Sequence, residues 1–320
     1  MQFNFLKVMA FSFLISLIIS PIFIALSRKL QYGQYIREDG PKRHYCKAGT
    51  PTMGGIIFLV SLVLSSFFLA PKNIYLFLLL MITLGNGLIG FLDDYFKVVN
   101  RRSLGLRARH KLAGQLLLVA IFSVVLFWIG HSTAVKIPFT DLVIDLGYFY
   151  PLLIFLMLIG TSNAVNITDG IDGLAGGTVT IALLAYLIIA ALQGIEAVAY
   201  FNSAFIGGIF GFLVYNLHPA KVFMGDVGSL ALGSALAAVA ILTKAELLLL
   251  IIGGVFVIET ISVIMQVIFY RITGRRVFLM SPLHHHFELK GYSEWRVVTG
   301  FWGLGFLFAV IGLFNYRIFL

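Results

Sequence analysis

The sequence predicts an all-α integral membrane protein that crosses the bilayer about ten times, and three observations predict it. The first is composition: 60% of the 320 residues are hydrophobic and 12% are charged, whereas soluble chains average roughly 45–50% apolar and about 25% charged. A mean hydropathy of +0.98 leaves too little polar surface to coat a water-facing particle. This excludes a cytosolic globular enzyme, a disordered tail and a secreted disulfide scaffold, and the one cysteine, Cys46, excludes an internal disulfide. The second observation is a series of apolar runs that match the ~20 residues a spanning helix needs. The third is the way the cations sort between the connections.

The runs follow in order. Phe3 to Ser27 is long enough to span and no small-residue cleavage pattern follows it, so it is expected to persist as a helix rather than serve as a signal peptide. Met53 to Ala70 and Ile74 to Leu92 come next, the latter stopped by Asp93-Asp94. Leu112 to Gly130 begins after a basic stretch, and Tyr148 to Val165 begins beside two tyrosines. Leu174 to Leu192 is entered through Gly170 and Gly173. Val198 to Tyr215 carries Gly207 and Gly211, a small-residue spacing that permits close helix packing. Val227 to Thr243 follows Gly225-Asp226, Leu247 to Phe269 contains Glu259, and Val297 to Phe319 closes the series. No repeat or soluble linker interrupts it, so residues 1–320 read as a single membrane domain.

Of the 23 lysines and arginines, 18 fall in alternate connections, and only Lys7, Lys72, Lys136, Lys244 and Arg317 fall on the other side. The positive-inside rule then puts both termini outside and five connections in the cytoplasm. The net charge of +9 is thereby a topology signal, with no need of a nucleic-acid partner. Trp128, Tyr148 and Tyr150 near outer ends, and Tyr270, Tyr292 and Trp295 near inner ends, suit an aromatic belt or simple packing.

The acids point to chemistry. Asp93, Asp94, Asp169, Asp172 and Asp226 all lie at cytoplasmic helix ends, beside basic loops. Carboxylate oxygens hold Mg²⁺ together with substrate phosphates, and lysine or arginine neutralises the remaining phosphate charge. Asp93 and Asp94 point about 100° apart on a helix, which suits two different jobs, while Lys97 stands one turn on from Asp93; a polar helix end with an i,i+4 ion pair fits the same residues. In Asn166-Ile167-Thr168-Asp169-Gly170-Ile171-Asp172-Gly173 the glycines favour a tight loop, and the spacing does not fit an EF-hand. Asp226 serves either as a metal ligand or as a helix cap. Three adjacent histidines, His284, His285 and His286, do not converge easily on zinc, and phosphate hydrogen bonding or proton transfer suits them better. Glu259 is costly in hydrocarbon; with no charge in a span to pair with, a structural or protonated, helix-bonded carboxyl is the expectation rather than a proton relay.

These motifs resemble the polyprenyl-phosphate N-acetylhexosamine-1-phosphate transferases. Asp93-Asp94, the Asn166 to Gly173 loop and Gly225-Asp226 carry the broad likeness. Gly40-Pro41-Lys42, Lys47 through Gly55, and Ser281-Pro282 through Gly291 are similar to the branch whose donor is UDP-N-acetylmuramoyl-pentapeptide. The resemblance covers essentially the whole chain and implies transfer of the donor's phospho-sugar to undecaprenyl phosphate, giving lipid I and UMP with Mg²⁺, at the cytoplasmic face of the bacterial cell membrane, by a homodimer. It implies Asp226 as the principal Mg²⁺ ligand, with Asp93 and Asp94 an essential pair near the metal and the lipid phosphate, one of them the candidate base or nucleophile, and His285 also among the catalytic groups. It implies Asn166, Asp169 and Asp172 around the nucleotide, Phe223 stacked on the uracil and Asn216 in support. Lys47, Thr52, Lys97, Lys111, His284 and His286 then line the cleft, Lys111 toward the uridine and the histidines toward phosphates.

Two rivals share parts of this pattern. A sister transferase of another UDP-N-acetylhexosamine has the same aspartates and differs at the histidine run and the Lys42 to Gly55 string. A transporter or lipid flippase places its site near mid-membrane on broken helices, whereas the polar residues here crowd one face.

Overall fold

The computed structural model describes residues 2–30, 33, 49–100 and 105–318. Helices α1 (Gln2–Lys29), α2 (Gly55–Leu69), α3 (Ile74–Val99) and α4 (Ala108–Trp128) are followed by a hairpin of strands β1 (Ala134–Lys136) and β2 (Val143–Asp145). Helices α5 (Tyr150–Thr168), α6 (Leu174–Gln193), α7 (Glu196–Asn216) and α8 (Gly225–Leu242) come next, then α9 (Leu249–Ile252), α10 (Gly254–Thr273), α11 (Leu283–Leu289) and α12 (Glu294–Ile318). Among the described residues, nine helices are long and apolar enough to cross a membrane. The protein is an all-α, multi-pass membrane protein.

Two of the ten apolar runs differ from the simple reading. The second folds as α2 with 15 residues, about 22 Å at 1.5 Å per residue against a hydrocarbon core of about 30 Å. Its N-terminal edge instead binds another segment: Gly54 N–H donates to the Phe223 carbonyl at 2.8 Å and Gly55 N–H to that of Met224 at 2.9 Å. The ninth run is broken at Gly253 into α9 and α10. Gly254 lies against α12, where a Cβ would come within 2.6 Å of the Phe308 ring.

Lipid offers helices no hydrophobic drive to associate, so small residues and polar contacts set the packing. Helix α8 is the most buried spanning helix, and its Gly228, Ser229, Ala231, Gly233 and Ser234 let α2, α3 and α5 close around it. Helix α1 lies along α7, where Gly211 meets Ser16, and Ser12 and Ser16 are fully buried. Deeper in the bundle Gln115 of α4 donates to Asn86 of α3 at 3.2 Å and to Ser162 of α5 at 3.4 Å, and Ser162 donates to the Leu230 carbonyl of α8 at 3.1 Å. On the hairpin side Tyr150 is buried and donates to Glu246 at 2.7 Å, so it is a structural contact rather than part of a belt, unlike the fully exposed Tyr148.

Candidate active site

Helices α3 and α8 meet at one end of the bundle, and their closest point sets the site. Gly90 of α3 faces the backbone of Asp226 and Val227 with no room for a Cβ. The next turn of α3 therefore delivers Asp93 and Asp94 beside Asp226, and one oxygen from each of the three lies within 4.8 Å of the others. Two lysines bridge them. Lys97 reaches Asp93 at 2.6 Å, Asp226 at 3.2 Å and Asp94 at 3.3 Å; Lys111 of α4 reaches Asp226 at 2.6 Å and Asp93 at 3.1 Å.

The adjacent carboxylates have different surroundings, as their 100° offset requires. Asp93 accepts the Leu106 N–H at 2.6 Å, and Gly105 gives that segment room to lie on the carboxylate. Asp94 accepts the Val227 N–H at 3.1 Å. Asp226 sits in the first turn of α8 and does not cap it; its second oxygen accepts from Asn166 at 3.0 Å, and Asn166 also donates to Ser229 at 2.7 Å. Formally, three carboxylates and two ammonium groups leave one negative charge. That donor set fits a small divalent cation, and with one bound the cluster becomes net positive.

Next to this cluster lies the loop between α5 and α6. Asp169 ends α5, and its carboxyl is pushed up to about 8, first by burial and then by the negative charges of Asp226, Asp94 and Asp172. Asp172 points into a second cluster: it pairs with His218 Nδ1 at 3.0 Å and accepts the Ala220 N–H at 3.0 Å, while Glu294 of α12 contacts His218 at 3.0 Å and accepts the Asp172 N–H at 2.9 Å. Asn216 staples this loop to the following segment, accepting from Gly173 N–H at 3.1 Å and donating to the Val222 carbonyl at 2.9 Å. Phe223 is half-buried, its N–H bound to the Pro51 carbonyl at 2.8 Å. Thr52 is buried beside Gly225, where a Cβ would touch both its hydroxyl and the Asp94 carboxylate.

The three histidines enter three different environments on α11. His284 is fully buried against Gly170, with Nδ1 3.3 Å from Glu259. His285 Nδ1 meets Glu288 at 2.7 Å. His286 Nδ1 accepts the Leu279 N–H at 3.1 Å, and burial with the nearby Lys290 charge holds its pKa below the usual imidazole range. Glu259 of α10 explains how this short helix is held: its carboxylate accepts the Leu283 N–H at 2.7 Å and the His284 N–H at 3.2 Å, satisfying donors that a helix start leaves open. So its bonds run to α11, not within its own helix. Replacing Glu259 by alanine strips one buried and one part-buried N–H group of their acceptor, and a loss of about 2–6 kcal/mol is expected at roughly 1–3 kcal/mol per orphaned group. Thermal unfolding in detergent checks this; an unchanged melting temperature would remove the capping role.

Thus Asp93, Asp94, Asp226, Lys97, Lys111 and Asn166 converge directly, with Thr52 and Asp169 beside them. Lys111, expected at the uridine, contacts Asp226 and Asp93, and Asn166, expected around the nucleotide, donates to Asp226. Asp172, Asn216, Phe223 and the histidine helix flank the cluster. Lys47 lies outside the described residues. Sequence reasoning did not assign His218, Glu294, Ser229, Gln115 or Gly90; their partners are distant in sequence and only the glycine-rich context of α8 hinted at close approach.

Residues 50–244 match the family model described as glycosyl transferase family 4. The chain is 57% identical over 310 residues, 96% of each chain, to the phospho-N-acetylmuramoyl-pentapeptide-transferase of Geobacillus kaustophilus (strain HTA426). It is 54% identical over 306 residues, 94% of each chain, to the enzyme of the same name from Bacillus subtilis (strain 168). Identity above half over nearly full length is decisive beside the clustered aspartates: the chain belongs to glycosyl transferase family 4, among the phospho-N-acetylmuramoyl-pentapeptide-transferases.

Proposed function

We propose that this enzyme transfers phospho-N-acetylmuramoyl-pentapeptide from its UDP donor to undecaprenyl phosphate, releasing UMP and forming lipid I. The observation that carries the reading is the junction of three aspartates and two lysines at one end of the spanning helices. Such a position lets a water-soluble donor meet an acceptor that stays in the bilayer. The charge sorting supports a single membrane domain over residues 1–320 in the bacterial cell membrane, with both termini outside and the site facing the cytoplasm. A homodimer is the expected assembly.

In the reaction an acceptor phosphate oxygen forms a bond to the sugar-linked phosphorus, and the bond from that phosphorus to the UMP oxygen breaks. Phosphoryl transfer is mainly positioning and charge neutralisation. With a second pKa near 6, the acceptor phosphate is largely dianionic at neutral pH and needs little help from a base. Asp226, with Asp93 and Asp94, has the donors to hold Mg²⁺, which when bound neutralises diphosphate charge. Lys97 and Lys111, now on those carboxylates, are placed to exchange them for phosphate oxygens. Asp169 lies beside them, Asp172, Asn216 and Phe223 frame the nucleotide side, and the donor is also expected to engage Lys47. His284 fixes α11 against Gly170, leaving His285 and His286 for the donor's phosphates.

Purified protein supplied with undecaprenyl phosphate is expected to release UMP from UDP-N-acetylmuramoyl-pentapeptide and not from UDP-N-acetylglucosamine. The opposite preference would assign it to the sister reaction.

A further inference from the structure

The loop between α5 and α6 is gripped at Asp172 by two residues that have no part in the proposed chemistry. Asp172 is buried. Its Oδ2 accepts the Ala220 N–H at 3.0 Å and lies 3.0 Å from His218 Nδ1, and the same ring nitrogen lies 3.0 Å from Glu294 Oε2. A carboxylate only accepts, so the nitrogen shared by the two carries the proton and donates. Glu294 turns its other oxygen to the Asp172 N–H at 2.9 Å. His218 and Ala220 lie on the segment between α7 and α8 that carries Phe223, whereas Glu294 opens α12. One aspartate thus ties its loop to the Phe223 segment through His218 and to α12 through Glu294.

Cohesion of the helices does not require this network. Val297, Val298 and Phe301 of α12 form one apolar cluster with Ile171 and Leu174. Trp302 fills the space over Gly177 of α6, where a Cβ would come within 2.1 Å of its ring. What the polar contacts add is direction, because hydrogen bonds fix angles that apolar packing leaves loose. We propose that His218 and Glu294 are positioning residues for the donor's nucleotide, acting through Asp172; the inference rests on the nucleotide side of the proposed reaction. They set the loop against the Phe223 segment, the two walls between which the uridine lies. Asp93 and Asp94, on the acceptor side, are held separately by the Leu106 and Val227 N–H groups and by Lys97.

The test separates the two substrates. His218→Leu removes the shared N–H, and His218→Asn keeps a donor, since the asparagine amide reaches as far as Nδ1. In His218→Leu the KM for UDP-N-acetylmuramoyl-pentapeptide is expected to rise about tenfold, the equivalent of about 1.4 kcal/mol, with kcat and the KM for undecaprenyl phosphate within about twofold of wild type. Glu294→Ala is expected to raise the donor KM at least as much, and His218→Asn to return it to within about threefold of wild type. An unchanged donor KM, equal rises for the two substrates, or no recovery in His218→Asn would overturn the assignment. Calorimetric UMP binding gives a second readout: affinity about tenfold weaker in His218→Leu supports the positioning role, and equal affinity refutes it. UMP binding needs no turnover, so a wild-type protein that binds UMP without transferring the phospho-sugar would sink the proposed reaction while the variants still decide the role of His218 and Glu294.

Discussion

Asp226→Asn is expected to lower turnover by about 10²–10³-fold, the range seen when a single preorganised electrostatic group is removed. Asp226 is the one carboxylate in contact with every other part of the centre: Lys97 at 3.2 Å, Lys111 at 2.6 Å and Asn166 at 3.0 Å. An amide of the same shape keeps one acceptor but turns an NH₂ toward a lysine or toward Asn166. It also removes the charge that would help hold a divalent cation, leaving two carboxylates against two ammonium groups. The fold is expected to survive, because Asp93 still binds both lysines and Asp94 still accepts the Val227 N–H. The measurement is UMP release per folded molecule, with the melting temperature as a check on folding. Wild-type release would remove Asp226 from the centre and with it the argument built on the α3–α8 junction.

The long-range contacts explain what was legible in advance. Hydropathy and charge sorting report on each segment's solvent, so the spanning helices and the shared face of the five aspartates could be read directly. The Lys97 pairing with Asp93 could be read too, being one helical turn apart. By contrast, Lys111 meets Asp226 across 115 positions, and Glu259 meets the start of α11 across 24. Nothing local to Glu259 names a partner, which is why it reads alone as an isolated carboxyl. The break in the ninth run is hidden for a related reason: Gly253 and Gly254 leave the apolar pattern intact, and it is the Phe308 ring of α12 that occupies the space a side chain would need. The shortness of α2 likewise comes from residues 54 and 55 bonding to 223 and 224, a contact that hydropathy does not encode.

The second large effect is expected from a residue with no side chain. Gly90 is buried, and a Cβ on it would press into the Asp226 carbonyl and lie 2.6 Å from the Val227 nitrogen. These are backbone atoms of a helix packed on several sides, so they cannot rotate away. Gly90→Ala must therefore part α3 from α8, at a cost of about 1–3 kcal/mol for overpacking. The catalytic consequence comes on top of the stability loss. Asp93 and Asp94 ride one turn beyond Gly90, and the displaced atoms belong to Asp226 and Val227, so the separation opens the gap between Asp93 and Asp226 that Lys97 spans at 2.6 and 3.2 Å and Lys111 at 3.1 and 2.6 Å. A displacement of about 1 Å at reacting groups can cost roughly 10²-fold in rate. Gly233→Ala provides the comparison, since its Cβ would crowd the Thr161 carbonyl at 2.5 Å and Ser162 at 2.6 Å, two turns farther along α8. Both variants are expected to melt earlier, and only Gly90→Ala is expected to lose turnover per folded molecule by about 10²-fold. Equal turnover losses in the two would mean that general loosening of α8, rather than the spacing at Asp226, limits the reaction.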